Sequence, residues 1–241
     1  EDAIFTIKKP GGFKNTDVLP VKNHDEAVQL LLKGLIKFGI IKDLSEINGV
    51  GNRVVQGGKY FADSALFNED TYKKIEELIP LDPLHAEAHL TCFNAFKKAL
   101  PEVGEVAVFD TAFHQTMEPV EYLYALPYEY YEKYGVRKYG FHGTSHMYVS
   151  RRIAEILGKP VEELRTINCH IGQGASICAI QNGKSVETSM GLTPVAGIPM
   201  GSRSGDLDPS VVTFIMKKEN MTPEEADTML NKKSGLLGIS G

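Results

Sequence analysis

Tryptophan is absent from this chain of 241 residues, and cysteine is scarce. Cys92, Cys169 and Cys178 are an odd count with no metal-ligand spacing, which argues against a disulfide framework and against a thiolate zinc site. A reducing cytoplasm is the expected location, with at least two of the three as small buried hydrophobes. No apolar run reaches the length of a membrane span, so no membrane partner is expected. The first residues lack the apolar core of a signal peptide. No block of like charges stands out and the net charge is −5. That argues against a nucleic-acid surface while leaving room for a local cationic pocket. A Walker A loop, a G-x-G-x-x-G turn and a G-x-S-x-G elbow are all missing. So are internal repeats and low-complexity tracts. An initiator Met is missing too, and both ends read as cut, so the chain is expected to be part of a longer protein.

What is present describes a folded domain: 42% hydrophobic and 24% charged residues are ordinary for a chain with a real core. The most informative stretch is Thr166 to Met190. Ile167, Cys169 and Ile171 alternate with Asn168 and His170, the period of a half-buried strand whose apolar members face inward. Gly172 and Gly174 free the backbone, Ser176 to Ile180 is a second apolar run, and Asn182-Gly183 is a strong hairpin signal. Such a turn can bring backbone N–H groups close to a phosphate, or its glycines can serve hairpin geometry alone.

The remaining elements follow from periodicity and punctuation. His24 to Phe38 reads as an amphipathic helix, Asp70 to Ile79 as a second and Ala86 to Leu100 as a third. Ile47 to Val50 is a short strand leading into a glycine-containing stretch with Arg53, which is either a pocket residue or one whose head reaches water from an ordinary strand. Glu105 to Phe109 is a valine-rich strand that delivers Asp110 at its carboxyl end, where α/β proteins collect ligands. A carboxylate there suits magnesium, alignment of a nucleophile, or a helix N-cap equally. Seven tyrosines crowd between Tyr122 and Tyr139, as at an intrachain packing surface or a subunit interface. In YGFHGTSH, Thr144 or Ser145 can cap a helix, which puts His142 and Gly143 just before an anion-favouring N-terminus. Met190 to Ser210 is a long glycine- and proline-dense loop holding Arg203, Asp206 and Asp208. Helices open at Pro209 and after Thr222.

Two H-x-x-x-H pairs, His85/His89 and His142/His146, have zinc spacing but lack the glutamate of a metalloprotease. Two arginines and two histidines beside glycine turns, with one carboxylate ending a strand, instead suit phosphoryl transfer, where positioning and charge stabilisation dominate.

VFDTAFHQTM, YGFHGTSH, the H-x-G-x-G-A-S hairpin and the SRSGD-L-DP loop, in this order, resemble the acetate kinase family. The likeness runs from about Ile47 to the end. It implies an α/β two-domain fold of the superfamily of acetate and sugar kinases, heat-shock ATPases and actin (ASKHA, ribonuclease H-like), incomplete here at both ends. Residues 1–112 would belong to the acetate- and phosphate-binding domain and 113–241 to the nucleotide-binding domain. The implied reaction is Mg2+-dependent transfer of the ATP γ-phosphate to acetate by a homodimer, giving acetyl phosphate and ADP. Arg53 and Arg203 would bind acetate and the transferring phosphoryl group. Asp110 would hold magnesium or align acetate, and His142 would stabilise the transition state. His170, Gly172, Gln173 and Gly174 would contact nucleotide phosphates. Val55, Leu84, Phe141 and Pro194 would line a small pocket for the acetate methyl group.

The chain departs from the family pattern at Asn52 and Gln56, where histidine is usual, at Gln173, where asparagine is usual, and at Val195-Ala196, where leucine-glutamate is usual. The family's N-terminal phosphate hairpin and its adenosine segment would precede Glu1 and follow Gly241. Three other readings compete: a propionate or butyrate kinase, a metal-dependent hydrolase using Asp110, Asp206 and the histidine pairs, and a non-catalytic fragment.

Overall fold

The computed structural model describes residues 2–81 and 85–241. The chain opens on a hairpin, β1 (Asp2–Lys8) and β2 (Lys14–Pro20), turned at Gly11-Gly12. Its inner face meets α1 (His24–Lys37) closely: a Cβ on Gly34 would lie 2.8 Å from both Ile7 and Phe5. Asn23 caps α1 by accepting from the Glu26 N–H.

The second sheet has the order β3-β5-β4, from β3 (Gly49–Val54), β4 (Ala65–Leu66) and β5 (Gly104–Phe109). β3 and β5 run parallel, with Val54 opposite Phe109, so their carboxyl ends finish side by side. Two helices, α2 (Glu69–Glu77) and α3 (Ala86–Ala99), cover the sheet. Val54, Ile75, Leu90, Phe93, Ala107 and Phe109 form its core, where Phe61 stacks on Phe109 at 4.0 Å and Phe67 on Phe93 at 3.6 Å. The expected strand at Ile47 to Val50 is two residues late and longer. Arg53 therefore lies in the strand, as one of the two sequence readings has it, because backbone pairing with β5 continues through it.

Two short helices, α4 (Pro119–Tyr122) and α5 (Glu129–Tyr134), carry Tyr122, Tyr130, Tyr131 and Tyr134 of the tyrosine cluster. The Arg137 guanidinium lies 3.6 Å from the Tyr122 ring centroid, a cation–π contact. Helix α6 (Gly143–Leu157) precedes an antiparallel meander of β6 (Arg165–Ile171), β7 (Ala175–Gln181) and β8 (Lys184–Thr188). Asn182 and Gly183 have φ of 54° and 75°, the left-handed pair that a two-residue hairpin turn requires.

The period of β6 is as expected but its faces are reversed. Ile167 and Ile171 are 74% and 69% exposed, while Asn168 is buried. The polar face is the one that meets α6: the Asn168 side chain donates to the His146 carbonyl and His170 bonds Ser145. Cys169 follows the apolar face outward. Cys178 is buried and Cys92 half-buried, so only one cysteine is a fully buried hydrophobe.

The 190–208 loop is irregular but pinned, for Asp206 exchanges two 2.7 Å hydrogen bonds with Gly197. Helices α7 (Pro209–Glu219), α8 (Pro223–Lys232) and α9 (Gly235–Ser240) follow. Thr222 and Glu225 close a reciprocal capping box at α8. None of the described helices is long and apolar enough to cross a membrane.

Candidate active site

The parallel strands deliver two charged groups to one place. Arg53, the penultimate residue of β3, grips Asp110, the residue after β5. Its Nε donates to Oδ1 at 2.9 Å and its Nη2 to Oδ2 at 2.6 Å, a fork-to-carboxylate pair. The Asp110 side chain is buried, while that of Arg53 is 63% exposed. Asp110 does not cap the short 3-10 turn that follows it; that place is taken by Thr111, whose buried hydroxyl accepts from the Gly57 N–H.

Asp110 also anchors the start of α6. Its carbonyl accepts from the Gly143 N–H at 2.8 Å, and its Oδ2 lies 3.4 Å from the His142 N–H. A Cβ at Gly143 would fall 2.2 Å from that carbonyl, so only glycine allows this approach. The N-cap of α6 is His142 itself, at φ 59°, not Thr144 or Ser145. Ser145 is occupied with His170, and Thr144 is exposed at the rim. The left-handed turn at His142 throws its ring across the helix start, where it stacks on His170 at 4.0 Å.

From the other side comes the Gly172–Gly174 turn. A Cβ at Gly174 would lie 3.0 Å from Arg203 Nη1 and 3.6 Å from His142 Nε2, so the glycine keeps both groups close to the backbone. Arg203 donates to the Pro194 carbonyl and pairs with no carboxylate among the described residues. Burial, and then the charge of Arg53, lower its pKa. Two guanidiniums that repel each other across a cleft are arranged for an anion. Arg53, Asp110, His142, His170, Gly172, Gln173 and Gly174 line one cavity of about 750 Å³, together with Ser145 and Tyr148. Arg203, Pro194 and Gln173 line an adjoining one of about 500 Å³. The α6 N-terminus opens on the first cavity, a further favourable field for negative charge.

Val55 and Phe141 do not line either cavity. They are buried in a cluster with Ala175, Met190 and Met200 that joins the second sheet to the meander. Leu84 lies outside the described residues. Ser176, the last residue of the H-x-G-x-G-A-S motif and given no role from sequence, is buried between His142 and His146.

No cluster of three or more histidine, cysteine, aspartate or glutamate side chains that could hold a metal occurs among the described residues. His89 accepts from the Val55 N–H, and His146 bonds Ser176, so the second histidine of each H-x-x-x-H pair already has a role. Asp206 is committed to its loop. Among the described residues, Asp110, Asp206 and the two histidine pairs are thus not gathered into one metal cluster. Magnesium is a different case, because it binds through one or two carboxylates plus substrate phosphates. A carboxylate has about four acceptor positions, and Arg53 takes two of those on Asp110, so Asp110 fits that limited part.

Burial and the His170 ring push His142 down to about 4, and burial likewise pushes His146 and His114 to about 4. All three are neutral near pH 7. A histidine depressed in the folded state protonates more readily when unfolded. Its stabilising contribution is thus complete above its ordinary value of 6.5 and is lost as pH falls toward 4. The urea midpoint is expected to decline between about pH 6.5 and about pH 5, before ordinary carboxylates titrate. A flat midpoint over that interval would contradict the neutral assignment.

The description "Acetokinase family" matches residues 1–241, a wider span than the motifs themselves. An acetate kinase of Bacillus velezensis is 58% identical over 240 residues, covering all of this chain and 60% of that protein. The crystal structure of Porphyromonas gingivalis acetate kinase superposes with a TM-score of 0.92 at 48% identity, over 99% of this chain and 60% of the other. A propionate kinase from Francisella tularensis superposes at 0.89 and 45% identity, over 95% and 58%. The chain thus spans about 60% of the length of the relatives it matches.

Proposed function

The chain belongs to the acetokinase family and has the ASKHA fold of acetate and propionate kinases, and from that premise we propose that the complete protein is an acetate kinase. It transfers the γ-phosphoryl group of ATP to acetate, reversibly, giving acetyl phosphate and ADP. The observation that carries this reading is the convergence of Arg53, Arg203 and the α6 N-terminus on the Gly172–Gly174 turn. Acetate is already a carboxylate at neutral pH, so no general base is required. A neutral His142 is consistent with that.

The roles follow from placement. Arg53 and Arg203 neutralise the acetate carboxylate and the equatorial oxygens of the transferring group. Asp110 fixes the Arg53 fork and so aligns the attacking oxygen. His142 presents its Nε2 edge to the same oxygens. His170 and residues 172–174 meet the nucleotide phosphates. Magnesium, when bound beside Asp110, supplies charge neutralisation on those phosphates. Pro194 borders the space left for the acid's alkyl group, with Val55 and Phe141 as the packed layer behind it. We divide the domains at 112/113, between the two earlier sheets and the later meander. A cytoplasmic homodimer is part of the same reading, and sedimentation of the complete protein tests the dimer.

The test of function is hydroxylamine trapping of acyl phosphate by the complete protein with ATP, magnesium and acetate. No acyl phosphate from any short-chain acid would refute the proposal. The similarity to a propionate kinase favours one second reading, decided by whether kcat/KM is higher for propionate than for acetate.

Gln173 offers a finer check. Its carbonyl accepts from the Gly201 N–H at 3.2 Å and its amide covers Gly201. Gln173→Asn shortens the side chain by one methylene, and the KM for nucleotide is expected to shift while that for acetate does not. A change in the acetate KM alone would remove the 172–174 turn from the phosphate site.

A further inference from the structure

His142 is held from behind by a buried hydroxyl shared between two rings. Ser176 Oγ is 2.9 Å from His142 Nδ1 and 2.8 Å from His146 Nε2. Ser176 is wholly buried and His146 is 1% exposed. The hydroxyl owns one proton. It can donate to only one of the two nitrogens and must accept from the other.

Both rings are neutral near pH 7 because burial holds each at about 4. Two proton arrangements are therefore open. In one, His142 Nδ1–H donates to Ser176, which donates to His146 Nε2; His142 then turns a bare lone pair at Nε2 toward the cleft. In the other, His146 Nε2–H donates to Ser176, which donates to His142 Nδ1; His142 then carries its proton on Nε2. That nitrogen faces the Gly174 backbone and the Arg203 side of the site. An anion seated there meets a lone pair in the first case and a donor in the second. Only the second stabilises it.

We infer that His146 and Ser176 are positioning residues that hold His142 as its Nε2–H tautomer when an anion occupies the cleft. The inference rests on the kinase reading for the identity of that anion. The surroundings keep the relay in place. The Asn168 side chain ties the His146 carbonyl to β6, and Ser176 is pinned within β7 opposite His170. The neighbouring His114 is locked separately: its Nε2 donates to the Phe141 carbonyl, so its Nδ1 accepts from Ser185. It takes no proton from the relay.

The test is histidine nitrogen NMR on the complete protein bound to ADP, acetate and a planar phosphoryl mimic. The expected result is a His142 signal with the proton on Nε2. In Ser176→Ala the tautomers are expected to mix, and kcat to fall by about tenfold or more with little change in the KM for ATP, as a mis-set catalytic tautomer does elsewhere. Ser176→Cys, of nearly the same shape, tests the case in which the alanine variant fails to fold and is expected to lie between. A proton on Nδ1 in the wild-type complex, or an unmixed Nε2–H in Ser176→Ala, would overturn the relay. The spectrum does not depend on turnover. Failure of the kinase reading shows instead as absent acyl phosphate in the wild-type protein.

Discussion

Arg203→Ala is expected to reduce kcat in the complete protein by about 10²-fold or more, while the KM for ATP changes little. Arg203 is half-buried, and no carboxylate neutralises it among the described residues. Its neighbour in charge is Arg53, so without an anion the pair is repulsive. An anion that gains charge at its equatorial oxygens relieves that repulsion more in the transition state than in the ground state, which is the condition for an effect on kcat. Arg53 does not take its place, because its Nε and Nη2 are held in the fork to Asp110, which fixes the position of its charge. Arg203→Lys keeps the charge but loses the planar two-nitrogen fork, and its activity should fall between the two. The measurement is steady-state acyl phosphate formation at saturating acetate and varied ATP. Turnover of the alanine variant within a factor of two or so of wild type would remove Arg203 from the transition state.

The parts of the fold written in local chemistry were legible in the sequence. Asn182-Gly183 demanded a two-residue turn and made one, and Thr222 to Glu225 spelled out a capping box. Glu105 to Phe109 gave Asp110 its place at a strand end. What could not be read was the choice of face. β6 has a period of two whichever side is buried, and only the arrival of α6 decides that Asn168 and His170 point inward. The same helix explains the misplaced cap. Ser145 is a good capping residue by type, but His170 engages its hydroxyl and Asp110 holds the chain at Gly143, so the turn falls on His142. Val55 and Phe141 were apolar residues close to charged ones in sequence, and packing gathers them with Ala175, Met190 and Met200. Ser176 was invisible for a related reason: nothing in GAS distinguishes a serine that bridges two histidines from one that faces water. The β1–β2 hairpin was overlooked although Gly11-Gly12 and the alternation of Ala3, Phe5 and Ile7 were both in view.

Gly143→Ala is expected to damage the site and the stability together. The backbone of Gly143 is ordinary for the first turn of a helix, and alanine there would be favourable on propensity alone. The obstacle is contact. Its Cβ would stand 2.2 Å from the Asp110 carbonyl oxygen and 3.0 Å from Phe113 Cβ. Neither is the end of a flexible side chain. Relief requires α6 to retreat from β5, which stretches the 2.8 Å bond from the Gly143 N–H. Overpacking of this kind costs about 1–3 kcal/mol. The retreat also carries His142, held at φ 59° by the same junction, away from the Gly174 turn. Displacement of a catalytic group by about 1 Å can cost about 10²-fold in rate. Gly104→Ala is the control, since nothing lies within 4 Å of a Cβ at that position. Thermal unfolding and acyl phosphate formation are measured for both variants in the complete protein. If Gly143→Ala matches Gly104→Ala in Tm and in kcat, the close approach of α6 to Asp110 does not organise the site.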